Sequence, residues 1–459
     1  MIDKELYRKL ETIVGDKFIS DSDIDRICHS YDATKQRAMP DVVIKPGSAQ
    51  EVSGIFKLAN EYLIPVYPRG AASGLTGGAV PLHGGIALDM TRMKKIDIDE
   101  ANLIATVEPG VIISDFQNEV EKKGLLYPPD PASNKFATMG GSVAECSGGL
   151  RGMKYGVTKD YVIALEAVLP TGEIIHTGSK TLKSVSGYDL TKLFIGSEGT
   201  LGVFTKITVK LVPPPERIET VRAYFPSIID AANTVSSIIA AKIVPRTLEF
   251  IDEECIRAVG MYTGFAVPEG TKALLLIETD GSAETAERDA QKAIDICKSN
   301  HAFEVVKANS EAEKDALWEI RRMISPALYA ISKGKVNEDV CVPRSNLTRM
   351  LESMEKIGEK YGLKIANFGH AGDGNIHVNI LIDPTSKEQR ERAEEAVKDI
   401  FSEVIDLDGT LSGEHGIGNT KSKYLNIEIG QVELELMKNI KKLFDPNSIL
   451  NPGKIFHEG

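Results

Sequence analysis

Pro68–Val80, PRGAASGLTGGAV, sets glycines at Gly70, Gly74, Gly77 and Gly78 directly after an apolar run, IPVYP. Consecutive backbone N–H groups in such a loop form a concave nest for an anion, because glycine tolerates positive φ and lets a ligand approach the main chain. A pyrophosphate would suit it. The stretch matches neither G-x-G-x-x-G between a strand and a helix nor G-x-x-x-x-G-K-[ST], so a nicotinamide-binding Rossmann fold and a P-loop are both disfavoured. Three further stretches are dense in glycine: TMGGSVAECSGGLRGMKYG (Thr138–Gly156), GYDLTKLFIGSEGTLGV (Gly187–Val203) and NFGHAGDGNIHVNIL (Asn367–Leu381). Singly, each reads as tight turns; their order and company carry more.

Around these loops, Val42 to Leu211 mixes short β-branched runs (DVVIKP, IPVYP, GIALDM, IATVEPG, VIALEAVLP, FTKITVKLV) with a few helical patterns, which predicts an α+β domain dominated by short strands. PPPE at Pro213–Glu216 continues neither strand nor helix and marks a boundary. Beyond it, KALLLIETDG reads as a buried strand ending in a turn. SKEQRERAEEAVKDIFSEVIDLDG opens with a capping box from Ser386 to Gln389 and carries Ala393, Ala396, Val397, Ile400, Phe401, Val404 and Ile405 at helical spacing, predicting a surface helix packed on a sheet. The tail LFDPNSILNPGKIF is rich in turn formers and is expected to dock on a domain made earlier. A chain of 459 residues calls for two or three domains.

The net charge of -12, with no Lys/Arg-rich run, excludes nucleic acid as a partner but leaves room for a local basic pocket. No run of about 18 apolar residues occurs, so no transmembrane helix is expected, and peripheral membrane attachment stays open. The opening MIDKELYRKLETIVGDKF is acidic and helix-like, without signal or transit character, and reads as cytoplasmic protein. Cys28, Cys146, Cys255, Cys297 and Cys341 are far apart with no C-x-x-C spacing, so they are expected as free thiols.

Two of the eight histidines flank Asp373–Gly374. A two-residue Asp-Gly hairpin turn would set Gly372 opposite Asn375, Ala371 opposite Ile376 and His370 opposite His377. Directly opposed residues share a face with Cβ atoms about 5 Å apart, near enough for two imidazoles to hold one cation. A pair of polar strand residues without a metal fits the same spacing. SGEHGIG adds Glu414 and His415 between glycines. Two neutral imidazoles and a carboxylate leave coordination positions open, as in catalytic rather than structural metal sites, and zinc, iron(II) or manganese would satisfy them.

The motifs VYPRGAASGLTGGAVP, PPDPASNKFATMGGSVAECSGGLRGMKYG, TLKSVSGYDLTKLFIGSEGTLGVFTKITVKL, NFGHAGDGNIHVN, SGEHGIGNTKSKYL and DPNSILNPGKIF together resemble the FAD-linked oxidases of the vanillyl-alcohol-oxidase superfamily. The resemblance is to the branch of D-lactate dehydrogenase, the glycolate oxidase flavin subunit and D-2-hydroxyglutarate dehydrogenase, and it spans nearly the whole chain. It implies an α+β protein: an FAD-binding domain over residues 1–215, an α+β cap on an antiparallel sheet over 216–425 holding substrate and metal, and a segment 426–459 docking back on the FAD domain.

By that likeness the FAD pyrophosphate lies along Gly70, Ala71, Ala72, Ser73, Gly74, Leu75, Thr76, Gly77 and Gly78. Thr138, Gly141, Ser142, Gly148, Glu198, Gly199 and Val203 line the flavin, Asn451 reaches it from the tail, and Arg69, Pro131 and Ser147 are also expected to bind the cofactor. Some relatives tether FAD through a histidine of the first glycine loop; residues 69–81 hold none, so FAD is expected to bind non-covalently. The resemblance also assigns His370, His377 and Glu414 to a divalent metal, His415 to the general base, and Arg321 to the clamp on the substrate carboxylate, with Arg322 as its rival. Ser325 and Lys335 are expected beside that carboxylate.

The expected reaction is oxidation of a D-2-hydroxy acid, foremost D-lactate, to the 2-oxo acid; glycolate and D-2-hydroxyglutarate are the alternatives. With no iron–sulfur or nicotinamide pattern in the chain, electrons are expected to leave to a partner such as an electron-transferring flavoprotein or an iron–sulfur subunit. Two readings from other classes compete: a metal-dependent hydrolase or oxygenase, and a non-catalytic flavin-binding subunit.

Overall fold

The computed structural model describes residues 2–457, which divide into two compact units. The first comprises everything up to Gly148, Val157–Pro214 and everything from Glu414; the second comprises Gly149–Gly156 and Pro215–Gly413.

In the first unit the runs read as strands form two sheets. One has the order Ile19–Ser20, Val42–Ile44, Ile86–Asp89, Val66–Arg69, the first pair antiparallel and the others parallel. Its parallel strands are buried along almost their whole length, as strands covered on both faces must be. The helices Lys4–Val14 and Ala49–Glu61 supply Leu10, Val52, Ile55 and Phe56 to its core, where Leu450 of the tail also packs. The second sheet is antiparallel, in the order Ile96–Asp99, Ile104–Val107, Val203–Lys210, Val162–Val168, Ile174–Gly178.

The tail is fixed by a buried carboxylate. Asp445 accepts from the N–H groups of Ile449 and Leu450 at 3.1 and 2.8 Å and pairs with Lys441, which also donates to the carbonyls of Thr200 and Leu450. Val66 N donates to Ile449 O at 2.7 Å and Asn451 N to Val66 O at 2.8 Å, so the tail runs beside the strand that leads into the first glycine loop.

The second unit is built on a seven-stranded antiparallel sheet in the order Glu304–Lys307, Arg217–Phe225, Ala273–Gly281, Thr247–Asp252, Lys364–His370, Asn375–Ile382, Gly334–Cys341. Ile251, Leu274, Leu276, Ala366, Phe368 and Leu381 share one face by register and pack with the helices Glu253–Thr263 and Glu311–Ile331. The other face, with Phe250, Leu275, Ile277, Val378 and Ile380, is buried too. The expected surface helix is Lys387–Asp406, and it buries Ala393, Ala396, Val397, Ile400, Phe401 and Val404. Its box is only half formed: Ser386 caps Gln389 N, while the Gln389 side chain accepts from Asp383 N rather than from Ser386 N.

Two boundaries differ from the sequence expectation. Residues 414–425, read as part of the cap, pack with the first unit, and 149–156 pack with the second. The latter segment is held by Asp280, which binds Lys154, accepts from Tyr155 Oη at 2.6 Å and pairs with Arg246 at 3.1 Å.

Candidate active site

The first glycine loop leaves the strand Val66–Arg69 and lines a cleft in the first unit. Its other walls are Pro131, the start of the helix Met139–Glu145, and Glu198–Gly199 with Val203. Thr138 caps that helix, its Oγ1 accepting from Gly141 N at 3.3 Å, and Thr138, Gly141, Ser142 and Ser147 face the cleft. Ala72 and Glu198 hold left-handed φ values of 53° and 51°, conformations that non-glycine residues adopt only where the surroundings enforce them. A Cβ added at Gly74 would meet nothing nearer than Glu145 at 4.0 Å, whereas one at Gly70 would collide with Thr138. The glycines therefore leave room in one place and allow close packing in another.

Of the residues expected to bind the cofactor, Arg69, Gly70, Ala71, Ala72, Ser73, Gly74, Leu75, Gly78, Pro131, Thr138, Gly141, Ser142, Ser147, Glu198, Gly199 and Val203 line this cleft, while Thr76, Gly77, Gly148 and Asn451 are not among its walls. Those four brace it instead. Thr76 Oγ1 donates to His415 O at 3.1 Å, a Cβ at Gly77 would strike Asn419, and one at Gly148 would come within 2.9 Å of Glu414 Oε2. Asn451 Nδ2 donates to Glu198 O at 2.8 Å and to Gly78 O at 3.3 Å. Glu198 is also more than a wall residue: its carboxylate accepts from Ile417 N at 2.8 Å and Gly418 N at 2.6 Å, gripping the loop that carries Glu414 and His415. Burial raises its pKa above the usual carboxylate range, against the pull of these two N–H groups. Glu414 and His415 line the same cleft.

The hairpin register differs from the expected one. Phe368, not His370, pairs with His377, and Asn367 pairs with Val378. The turn spans four residues, Ala371 to Gly374, closed by Gly374 N donating to His370 O at 3.1 Å. Gly374, at φ 83°, lies so close to Val342 O that a Cβ would collide with it, so the turn is shaped by the neighbouring chain and not by the Asp-Gly dipeptide alone. The register shift is even, so it leaves both histidines on one face. They are diagonal neighbours with ring centroids 5.2 Å apart at 85°. Glu414, the third expected ligand, opens the last segment of the first unit.

Glu414 directly follows Gly413, which packs so tightly on Asn375 that a Cβ would clash, and Ser412 Oγ donates to Asp339 Oδ1 at 3.0 Å. His415 Nε2 stands 3.9 Å from Glu414 Oε1. The chemistry of the donor set fits a divalent cation. His370 Nδ1 is engaged by Glu249 Oε1 at 2.6 Å, which leaves Nε2 as its ligand atom.

The other cap residues gather on the same sheet face. Arg321, on the helix Glu311–Ile331, donates through Nε to Glu249 Oε2 at 2.7 Å and stacks over Phe368 at 4.6 Å. Its two terminal nitrogens make no hydrogen bond among the described residues. Arg322 is half exposed and donates to Asp315 O. Lys335 Nζ reaches Ser325 Oγ at 3.2 Å and Asn379 Oδ1 at 2.8 Å. Sequence reasoning missed Glu249 and Asn379. For Asn379 a signal existed, since it follows His377 by two in a strand and so shares its face. For Glu249 the only signal was a lone acid within an apolar run, TLEFI.

Residues 40–178 match the FAD binding domain, and residues 214–455 match the FAD linked oxidases, C-terminal domain. The chain belongs to the FAD-linked oxidases. It is 48% identical over 458 residues to the glycolate oxidase subunit GlcD of Bacillus subtilis (strain 168), covering 99% of this chain and 97% of that protein. It is 37% identical over 464 residues to a D-lactate dehydrogenase of Anaerostipes hadrus, covering 99% and 96%. Among solved structures, p-cresol methylhydroxylase with substrate bound superposes with a TM-score of 0.82 at 18% identity, over 98% of this chain and 96% of that one. The fold is thus of the vanillyl-alcohol-oxidase type, and most of the residues that match the FAD binding domain lie in the first unit.

Proposed function

We propose that this FAD-linked oxidase converts a small 2-hydroxy acid, D-lactate or glycolate, to the 2-oxo acid with the help of one divalent cation. The observation that carries the reading is the pair His370 and His377, diagonal neighbours on one sheet face with ring centroids 5.2 Å apart and His370 Nδ1 engaged by Glu249. Glu414 and His415 line the cleft of the first unit. The names of the relatives support the substrate class.

When bound, FAD would accept hydride at the flavin, and a divalent cation would lower the pKa of the substrate hydroxyl. The chain does the rest. Arg321, held by Nε, offers its terminal edge to the substrate carboxylate, and Lys335, Ser325 and Asn379 form a polar group beside it. His415, fixed through its carbonyl to Thr76 and through its loop to Glu198, takes the hydroxyl proton. Reoxidation falls to a separate acceptor, an electron-transferring flavoprotein or an iron–sulfur subunit in the cytoplasm. Among the described residues no helix is long and apolar enough to cross a membrane.

Anaerobic titration of the FAD-loaded protein tests the substrate class. D-lactate or glycolate should bleach the flavin stoichiometrically, with L-lactate at least about 100-fold slower. A flavin that none of the 2-hydroxy acids reduces would contradict the proposal.

A further inference from the structure

We propose that Glu249 is a positioning residue that serves two neighbours at once, its single carboxylate setting His370 as a metal ligand and Arg321 as a carboxylate clamp. The inference rests on the metal reading above. Glu249 stands directly opposite His370 in the sheet, and its side chain has no solvent exposure. Oε1 lies 2.6 Å from His370 Nδ1 and Oε2 2.7 Å from Arg321 Nε, so both oxygens are engaged.

An ionised carboxylate can only accept, so the proton of a neutral His370 sits on Nδ1 and the lone pair on Nε2. The same carboxylate fixes the plane of Arg321 by its Nε edge and leaves the fork at the far end for another acid. The second histidine is tied to the same guanidinium: Arg321 stacks over Phe368, whose ring centroid is 5.0 Å from that of His377. Ligands and clamp therefore form one packed group, and what disturbs Glu249 disturbs both.

Glu249→Gln discriminates a positioning role from simple filling of space. Arg321 can only donate, so the single glutamine oxygen turns to it, and the NH₂ left beside His370 Nδ1 favours the proton on Nε2, the wrong tautomer for a ligand. Zn²⁺ binding to the FAD-loaded protein, read by competition with a chromophoric chelator, should weaken about 10- to 100-fold, with FAD content and thermal midpoint close to wild type. Glu249→Asp, which keeps the charge on a shorter arm, should fall between. In the presence of saturating Zn²⁺, Glu249→Gln should raise the KM for the hydroxy acid more than it lowers kcat.

Should Glu249→Gln fail to fold, ¹⁵N NMR of histidine-labelled wild-type protein decides, and it should find the His370 proton on Nδ1. Wild-type Zn²⁺ binding with a Glu249→Gln affinity within twofold of it would overturn the inference, as would a His370 proton on Nε2. Wild-type protein that binds no Zn²⁺ would remove the metal reading itself.

Discussion

Removal of the divalent cation from the FAD-loaded protein should abolish flavin reduction by hydroxy acid, lowering its rate at least about 1,000-fold, while FAD stays bound. The size follows from what a cation contributes to stabilising a developing alkoxide, several kcal/mol, at about 1.4 kcal/mol per tenfold in rate. The selectivity follows from the geometry. The cleft proposed for the cofactor is walled by the glycine loop, Pro131, Thr138–Ser142 and Glu198–Val203, whereas two of the three candidate ligands lie on the hairpin strands Lys364–His370 and Asn375–Ile382. Stopped-flow reduction before and after chelation, with flavin absorbance as the measure of retained FAD, gives the comparison. Readdition of Zn²⁺ or Mn²⁺ should restore the rate. Undiminished reduction in verified metal-free protein would remove the cation from the chemistry.

His415→Ala should slow flavin reduction by about 100- to 10,000-fold, the span ordinarily lost with a general base, and should change substrate affinity by no more than a few-fold. The affinity is expected to hold because the proposed carboxylate clamp, Arg321 with the Lys335 group, is anchored without His415. The loop itself should keep its place, since Thr76 binds the main-chain carbonyl of His415 and Glu198 binds the N–H groups of Ile417 and Gly418. None of these contacts uses the imidazole. Single-turnover reduction across a range of substrate concentrations separates the rate constant from the dissociation constant. An unchanged rate constant would assign the proton to another group.

The candidate ligands were legible in the sequence for a reason that outlasts the error in register. Facing in a sheet depends only on parity, so a hairpin read two residues out of step still sets His370 and His377 on one side. The strands were legible for the same kind of reason, since runs such as DVVIKP and FTKITVKLV carry β-branched residues between turn formers. Glu249 was not legible. Its partner His370 lies 121 residues further on, and nothing local indicates that the two strands pair. The same holds for Gly149–Gly156, which joins the second unit because Asp280, far along the chain, holds Lys154 and Tyr155. The role of Glu198 was half legible: its motif marks the cleft, but that its carboxylate grips the His415 loop follows only from tertiary contact.

The claim on which the mechanism turns is that His370, His377 and Glu414 hold a divalent cation. Anomalous diffraction at the metal edge from crystals of the FAD-loaded protein tests it most directly. The account predicts one peak about 2.0–2.2 Å from a nitrogen of each histidine and an oxygen of Glu414. A fully active crystal with no peak there, or with its only peak bound elsewhere, would contradict it.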